Sequence, residues 1–200
     1  MSDRRIPALV LAAGGGRRLG GRPKALVEHR GRPLLEHALA VVRAGGCGPV
    51  VAVLGAAREE VRARARTGDC LLVDNPAWES GMGSSLRAGL AALPAGAPAV
   101  LVMLVDTPGV TPEAVRRLLA AHRAGGQLVA AAYGGRRGHP VLIGARYFAE
   151  AAAGATGDAG ARALLAAHAG GLLLVECGDV AVPDDLDTPE DLARWSASAG

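Results

Sequence analysis

The sequence contains few aromatic residues and few cysteines. One Phe, two Tyr and two Trp among 200 residues leave the core to Ala, Leu and Val. They are also too few to form the aromatic platforms that bind single-stranded nucleic acid. Three cysteines, Cys47, Cys70 and Cys177, lie far apart and form no Cys-x-x-Cys pair. This pattern fits neither a disulfide framework nor a zinc site, so we expect reduced thiols.

Long hydrophobic runs are also missing. No segment approaches the roughly twenty uninterrupted apolar residues of a membrane span. The apolar run from Ala8 to Gly14 is too short for the hydrophobic region and cleavage site of a secretory signal. We therefore expect a cytoplasmic protein without a membrane partner.

The excess of positive charge is confined to one part of the chain. The formal net charge is +3, yet residues 1–43 hold nine basic against three acidic side chains, so this part carries +6 and the remainder −3. The basic groups surround a glycine-rich segment. Such a concentrated positive region suits a small polyanion, whereas a duplex favours a broad basic stripe. We expect no nucleic acid partner.

Short apolar runs alternate with segments of helical length. Length and composition are typical of one globular domain over residues 1–200, with a core at about 7–196. The alternation predicts an α/β fold: a single, three-layer, Rossmann-like domain with a mostly parallel sheet. The predicted strands, each buried on both faces, are 8–13, 50–54, 71–73, 99–105, 128–132, 141–143 and 172–175. The predicted helices are 34–44, 59–66, 85–93, 112–123, 146–153, 161–169 and 189–196.

A glycine-rich loop follows the first predicted strand. Gly14, Gly15 and Gly16 let backbone N–H groups approach a phosphate without hindrance from side chains. A dinucleotide-binding Rossmann loop would need an acid at the end of the second strand, which here ends Leu54-Gly55-Ala56. A P-loop would need Gly-Lys-Ser/Thr where this chain has Pro23-Lys24-Ala25. Both interpretations therefore lack their second element.

Lys24 is the only lysine among the 22 Lys and Arg residues, and it ends this loop. A flexible ammonium suits a group that follows a phosphate during reaction, whereas the guanidinium of Arg18 presents a fixed fork of donors. A solvated lysine on an ordinary surface loop is the structural alternative.

The stretch from Leu11 to Lys24 resembles the signature of the MobA-like nucleotidyltransferases, and among them most closely that of the molybdenum cofactor cytidylyltransferases. Six motifs between Leu9 and Trp195 carry this resemblance. It implies a sheet of the nucleotide-diphospho-sugar transferase type, Mg²⁺ as cofactor, CTP as donor and molybdenum-molybdopterin as acceptor. It also implies that the nucleotide binds to Leu11, Ala12, Ala13, Gly14, Gly15, Gly16, Lys24, Gly83, Ser84 and Ser85.

The second motif runs from Asn75 to Leu86 and contains Gly83, Ser84 and Ser85. From the residues alone, either serine could cap the helix that follows. The resemblance instead implies that this segment holds the base and ribose of the nucleotide.

Two aspartates are candidate metal ligands. Asp106 directly follows the apolar run ending at Val105, at the strand end where α/β folds bind ligands, and its oxygens suit Mg²⁺. A turn residue is the structural alternative. Thr188 can cap the last helix, which leaves Asp187 available as a second ligand. Relatives commonly have Gln or Met where this chain has Thr107, a departure that bears on substrate choice.

Three further residues are implied on the acceptor side. His139 precedes a predicted strand in Gly138-His139-Pro140, and Asp158 and Arg162 lie where a later helix opens. A turn with a surface arginine is the structural alternative for Asp158 and Arg162. We favour contact with the substrate over general-base catalysis for His139, because phosphoryl chemistry depends mainly on position and charge.

These features predict a Mg²⁺-dependent nucleotidyltransferase. A phosphate oxygen of the acceptor attacks the α-phosphorus of the nucleotide and pyrophosphate leaves, with Arg18, Lys24 and Asp106 as catalytic residues and Asp106 and Asp187 as metal ligands. The alternatives are a GTP- or sugar-phosphate-type enzyme of the same fold, or a non-catalytic maturation protein that binds a nucleotide or cofactor. A molybdoenzyme or its maturation chaperone would be the protein partner.

Overall fold

The computed structural model describes residues 5–197. The strands are β1 Ala8–Ala12, β2 Glu28–His29, β3 Arg32–Pro33, β4 Val50–Leu54, β5 Leu71–Asp74, β6 Ala99–Leu104, β7 Leu128–Tyr133, β8 Arg136–Gly144 and β9 Leu172–Glu176. The helices are α1 Leu34–Ala44, α2 Arg58–Arg64, α3 Met82–Ala91, α4 Pro112–Arg123, α5 Phe148–Gly154, α6 Arg162–Ala167 and α7 Pro189–Ala197. The predicted elements are therefore present, with boundaries that differ by a few residues.

Seven strands form one sheet in the order β5-β4-β1-β6-β8-β7-β9. Adjacent strands of this sheet run parallel to each other, except that β8 is antiparallel to both β6 and β7. The prediction of an α/β fold with a mostly parallel sheet is confirmed. The antiparallel strand arises because Gly134 and Gly135, both with positive φ, close a tight hairpin between β7 and β8.

The sheet is covered by helices on both faces. In β1, Ala8 and Val10 pack into the hydrophobic cluster that contains α1 and α4, whereas Leu9 and Leu11 pack into the cluster that contains α3. This alternation places two apolar layers around the sheet, as a three-layer architecture requires.

The prediction that every strand is buried on both faces is wrong for the two edge strands. Leu71 of β5 is 52% exposed, and Leu173 and Leu174 of β9 are 46% and 48% exposed. Each edge strand has only one neighbouring strand and less helical cover, whereas β1 and β4 are buried throughout.

Two threonines, Thr111 and Thr188, cap helices. The Thr111 hydroxyl accepts a hydrogen bond from the N–H of Ala114 at 3.3 Å. Thr188 and Asp191 cap each other at the start of α7, because the Thr188 hydroxyl accepts from the N–H of Asp191 at 3.1 Å and a carboxylate oxygen of Asp191 accepts from the N–H of Thr188 at 2.8 Å. Asp187 is therefore not the capping residue.

The three cysteines are free and buried, as their spacing predicts. Within residues 5–197, none of the helices combines the length and the apolar character needed to cross a membrane.

Candidate active site

A cleft of about 320 Å³ opens at the carboxyl ends of β1 and β6, beside the start of α3. This is the edge where α/β sheets bind ligands. Its lining is formed by Leu11, Ala13, Gly14, Gly15, Arg17, Lys24, Trp78, Glu79, Gly81, Met82, Ser85, Leu104, Val105, Asp106 and Asp158.

The glycine-rich loop is held by hydrogen bonds within itself. Gly16 has a φ of +58°, and a Cβ there would lie 1.9 Å from the carbonyl oxygen of Arg22, so only glycine fits. The N–H of Lys24 donates to the carbonyl of Gly14 at 3.2 Å. Among the described residues, nothing accepts a hydrogen bond from the amides of Gly15 and Gly16. These amides are suited to a phosphate group.

The ammonium of Lys24 joins the two predicted metal ligands. It lies 2.5 Å from an oxygen of Asp106 and also contacts an oxygen of Asp187. The side chains of Lys24 and Asp106 are only 18% and 14% exposed. Burial alone would lower the pKa of Lys24, but the charges and hydrogen bonds of the two carboxylates outweigh it, so the pKa is raised and the ammonium stays charged.

Backbone contacts bring the two aspartates together. Asp106 lies two residues beyond β6, and its carbonyl accepts a hydrogen bond from the N–H of Leu186 at 2.8 Å. The Leu186 side chain is buried in the core. The anchored Leu186 therefore places the neighbouring Asp187 beside Asp106.

Arg18 is the most peripheral of the predicted catalytic residues. Its side chain is 77% exposed and lies 3.8 Å from Asp187. Among the arginines of the loop it is Arg17, not Arg18, that lines the cleft. Sequence reasoning did not single out Arg17.

The two serines of the second motif play different roles, and neither caps a helix. Gly81 precedes α3, and both serines lie within the helix. The single proton of the Ser84 hydroxyl is shared between the carbonyls of Gly81 and Ala77. Both serine hydroxyls accept from the side-chain amide of Asn75. Ser84 is thus occupied in local structure, whereas Ser85 lines the cleft.

Gly83 also faces protein rather than the cleft. A Cβ at this position would lie 2.6 Å from the backbone of Ala155, so the glycine allows the segment after α5 to pack on α3. Ala12 is buried at the end of β1 and does not line the cleft either. Of the ten predicted nucleotide-binding residues, the cleft brings together Leu11, Ala13, Gly14, Gly15, Lys24 and Ser85.

Trp78 is a cleft residue that sequence reasoning missed. Its ring packs against Gly15 and Gly55, where a Cβ would lie 3.0 Å and 2.5 Å from the indole side chain. The low number of aromatic residues argues against platforms for single-stranded nucleic acid, yet one of the two tryptophans lines the cleft. Trp78 lies inside the motif from Asn75 to Leu86, and this position could have identified it as a cleft residue from the sequence.

The predicted acceptor residues divide between two locations. Asp158 lines the cleft, close to Gly81, where a Cβ would lie 2.7 Å from the Asp158 carboxylate. His139 lies in β8 outside that lining, and Arg162 is exposed at the start of α6. His139 and Arg162 are near enough for their charges to interact.

His139 is a partly buried histidine whose Nδ1 is enclosed by protein. Its Nδ1 has no hydrogen-bond partner within the described structure. Burial, reinforced by the charges of Arg137 and Arg162 and opposed by that of Asp185, lowers its pKa to about 4. A histidine with a pKa lowered in this way is neutral near pH 7, which disfavours a role as general acid.

The carboxylates at the cleft provide hard oxygen ligands. No group of three or more His, Cys, Asp and Glu residues within residues 5–197 has the arrangement of a complete metal site. The pair Asp106 and Asp187 matches a Mg²⁺-type ion that takes its other ligands from phosphates and water. A further carboxylate, Asp185, is close enough that partial burial and the charges of Asp187 and Asp106 raise its pKa.

Thr107 does not face the cleft. Its side chain is buried, and its hydroxyl donates to the carbonyl of Leu104 at 2.9 Å. The residue therefore stabilises the turn that follows β6, which gives no support to a direct role in substrate choice.

Residues 8–171 match the family model of the MobA-like NTP transferase domain. The chain belongs to this family. The matched region contains Lys24 and Asp106, whereas Asp187 lies beyond it.

Among similar proteins, nicotine blue oxidoreductase of Paenarthrobacter nicotinovorans is 43% identical over 97% of this chain and 99% of its own length. The crystal structure of an Rv0371c homologue from Mycobacterium sp. strain JC1 superimposes with a TM-score of 0.84 at 32% identity, covering 98% of this chain and 96% of that one. Rv0371c of Mycobacterium tuberculosis H37Rv, solved in complex with manganese, has a TM-score of 0.78 at 30% identity, covering 97% and 99%. These similarities extend over nearly the whole chain.

Proposed function

We propose that this protein is a divalent-metal-dependent nucleotidyltransferase that transfers CMP from CTP to the phosphate of a molybdopterin-type acceptor, as one domain spanning residues 1–200. The observation that carries the proposal is the contact of Lys24 with both Asp106 and Asp187 at the edge of a cleft formed by a glycine-rich loop. Membership of the MobA-like NTP transferase family supports the same reaction class.

The reaction exchanges one P–O bond for another. A phosphate oxygen of the acceptor forms a bond to the α-phosphorus of the nucleotide, and the bond to pyrophosphate breaks. No protein nucleophile is needed, and position and charge supply most of the catalysis. The amides of Gly15 and Gly16, with Lys24 and Arg18, would bind and neutralise the phosphates.

Mg²⁺ or a similar ion fits the donor set. Asp106 and Asp187 would hold it, and when bound it would neutralise phosphate charge as a Lewis acid. The manganese complex of the 30% identical Rv0371c supports the use of a divalent ion. The ammonium of Lys24 would then have to break its contact with at least one carboxylate. Its flexible side chain would let the ammonium turn towards the phosphates.

Base recognition would fall to Trp78 and Ser85. The indole offers a stacking surface, and the Ser85 hydroxyl accepts one hydrogen bond from Asn75 and retains its own proton for a ligand. The preference for CTP, and for a molybdopterin-type acceptor, rests on the resemblance of the loop from Leu11 to Lys24. His139, Asp158 and Arg162 would contact the acceptor, and a molybdoenzyme or its maturation chaperone would receive the product.

A pyrophosphate-release assay tests this proposal. CTP and GTP are each combined with Mg²⁺ and with molybdopterin or simple sugar phosphates. We expect release with CTP and molybdopterin. Pyrophosphate release with GTP but not with CTP, together with thermal stabilisation by GTP but not by CTP, would overturn the assignment of CTP as the donor. A different result would favour a non-catalytic maturation protein: no pyrophosphate release with any pair of nucleotide and acceptor, and CTP binding that is the same in wild type and Asp106→Asn.

One comparison favours a second candidate. The 43% identity to nicotine blue oxidoreductase over 97% of the chain makes a redox reaction of nicotine blue a competing activity. The reduced nicotinamide of a dinucleotide would give up a hydride, and the dye would accept it with one proton from water. The absence of an acid after β4, where the chain reads Leu54-Gly55-Ala56, argues against dinucleotide binding in the usual Rossmann manner.

A direct assay separates the two candidates. The protein is mixed with NADH or NADPH and nicotine blue, and oxidation of the reduced nicotinamide is followed by absorbance. Dye-dependent oxidation that Lys24→Met and Asp106→Asn leave unchanged would support the oxidoreductase, because those residues serve phosphate and metal binding. We expect no such oxidation.

A further inference from the structure

The two aspartates of the site lie on two different segments of the chain. A cluster of aromatic side chains outside the cleft connects these segments. Asp106 lies in the loop between β6 and α4, and Asp187 lies just before α7. Neither belongs to a strand, so the sheet does not fix the distance between them. Besides the contacts of both carboxylates with Lys24, a backbone hydrogen bond from the N–H of Leu186 to the carbonyl of Asp106 joins the two segments.

His37, His29 and Trp195 form that cluster. The Nε2 of His37 on α1 lies 3.0 Å from the carbonyl oxygen of Pro108, two residues after Asp106. The indole N–H of Trp195 on α7 donates to the Nε2 of His29 at 3.4 Å. The two imidazoles meet edge to face, with their ring centroids 5.4 Å apart. The cluster therefore runs from the Asp106 loop to the helix that follows Asp187.

The indole also touches the Asp106 loop directly. A Cβ on Gly109 would lie 2.8 Å from the ring of Trp195 and 2.3 Å from the side chain of Val182. Glycine at this position thus allows α7 and the segment before it to approach the loop. The N–H of Val182 donates to the carbonyl of Gly109 at 3.2 Å, on the same contact.

The partners fix the protonation of both rings. A carbonyl only accepts, so the Nε2 of His37 must carry a proton, and an indole N–H only donates, so the Nε2 of His29 must not. Burial and nearby positive charges, including that of Arg30, lower the pKa of both histidines. Both rings are therefore neutral near pH 7 and their hydrogen bonds are directional.

We propose that His37 is a positioning residue, which acts with His29 and Trp195 to set the separation of the Asp106 and Asp187 carboxylates and hence the affinity for a divalent ion. Its Nε2–H holds Pro108, and through it the Asp106 loop, against α1. His29 and Trp195 hold α7 against the same cluster. This inference rests on the proposed function, because it concerns the metal-binding pair of that site.

The test compares two substitutions of His37. His37→Phe keeps a ring but removes the hydrogen-bond donor, whereas His37→Gln keeps an N–H donor. We expect His37→Phe to weaken Mn²⁺ binding in the presence of CTP, measured by calorimetry, and to lower kcat, each by about tenfold as for other residues that support metal ligands. The KM for CTP should stay close to wild type, and His37→Gln should restore most of the loss.

His122→Phe is the matched control. His122 on α4 also bonds a backbone carbonyl, that of Gly126 at 2.6 Å, but it lies outside the cluster. We expect its Mn²⁺ affinity to equal that of wild type. A His37→Phe protein that melts at a lower temperature but binds Mn²⁺ normally would overturn the inference, as would a His37→Gln protein with the same defect as His37→Phe.

A second variant covers the case in which His37→Phe does not fold. Trp195→Phe keeps an aromatic ring against Gly109 and removes only the N–H donor to His29, and we expect weaker Mn²⁺ binding from it as well; unchanged binding would overturn the inference. Wild-type protein that binds Mn²⁺ and CTP but transfers no nucleotide would refute the proposed function, while the Mn²⁺ affinities of the variants would still decide the role of the cluster.

Discussion

Lys24 and Asp187 form an ion pair although 163 positions separate them in the sequence. The same ammonium lies 2.5 Å from Asp106. One cation thus lies between two carboxylates and offsets part of their mutual repulsion. A divalent ion that binds both carboxylates must compete with Lys24, which leads to the first prediction.

Lys24→Met should make the protein less stable without metal and more responsive to metal. The two carboxylates lose their shared cation, and an added divalent ion no longer has to displace it. We therefore expect a lower melting temperature than wild type without Mg²⁺ and a larger increase on adding Mg²⁺. Thermal unfolding over a Mg²⁺ titration measures both quantities.

Arg18→Met is the control for this change in charge. Its guanidinium is mostly exposed, and its only ion pair within residues 5–197 is with Asp187, at 3.8 Å, so its removal should change the Mg²⁺ response little. Equal Mg²⁺-induced shifts in wild type and Lys24→Met would contradict the view that the ammonium competes with the ion.

Asp106→Asn and Asp187→Asn should each lower kcat for pyrophosphate release by about 10²–10³-fold, the scale of one preorganised electrostatic group. Asn keeps the shape of the side chain but removes the charge that would bind the metal. Asp179→Asn is a suitable control, because Asp179 is exposed and pairs with Arg117 on another surface. If Asp187→Asn retained wild-type turnover, Asp187 would not be a metal ligand.

Much of this site could be predicted from the sequence. Asp106 was found because α/β folds bind ligands at the carboxyl ends of their strands. Thr188 can cap the last helix, which left Asp187 free for another role. Lys24 stood out as the only lysine. The structure brings these three side chains into contact.

Other features depended on long-range packing that local patterns do not encode. Counting aromatic residues gave their number but not the position of Trp78 over Gly15. Ser84 has the same local sequence signal as Ser85, and only the positions of the Ala77 and Gly81 carbonyls show which hydroxyl is occupied as a donor. Trp195 and His29 lie 166 residues apart, so no motif could have joined them.

Trp78→Ala should weaken CTP binding, because the cleft loses its stacking surface. Stacking of a base on an aromatic ring is worth about 1–3 kcal/mol, so we expect Kd to rise about tenfold or more. Trp78→Phe should have a smaller effect. Calorimetry with CTP and Mg²⁺ measures the change, and Tyr147→Ala, which removes a ring that packs on His168 instead, should leave Kd unchanged.

Fluorescence gives an independent test of the same contact. The chain has only two tryptophans, so Trp78 is the sole indole in Trp195→Phe. CTP should quench its emission in that variant and leave the emission of Trp78→Phe nearly unchanged. Quenching that persists without Trp78 would place the base elsewhere.

His139 should make the protein less stable in mild acid. Its pKa is lowered from 6.5 to about 4, mainly by burial. Between these values the unfolded chain binds a proton that the folded protein does not, so stability is fully present above pH 6.5 and is lost as the pH falls towards 4. Between pH 7 and pH 5 this single group should account for about 2 kcal/mol of the free energy of unfolding.

Urea unfolding at pH 7 and pH 5 measures this loss. His139→Gln removes the titrating group, so its free energy of unfolding should fall less than that of wild type between the two pH values. His29 and His37 also have lowered pKa values, so the free energy of unfolding of both proteins falls further in acid. This contribution is the same in both proteins and cancels in the difference between them. An equal fall in wild type and His139→Gln would show that His139 accepts a proton in the folded protein as readily as in the unfolded chain.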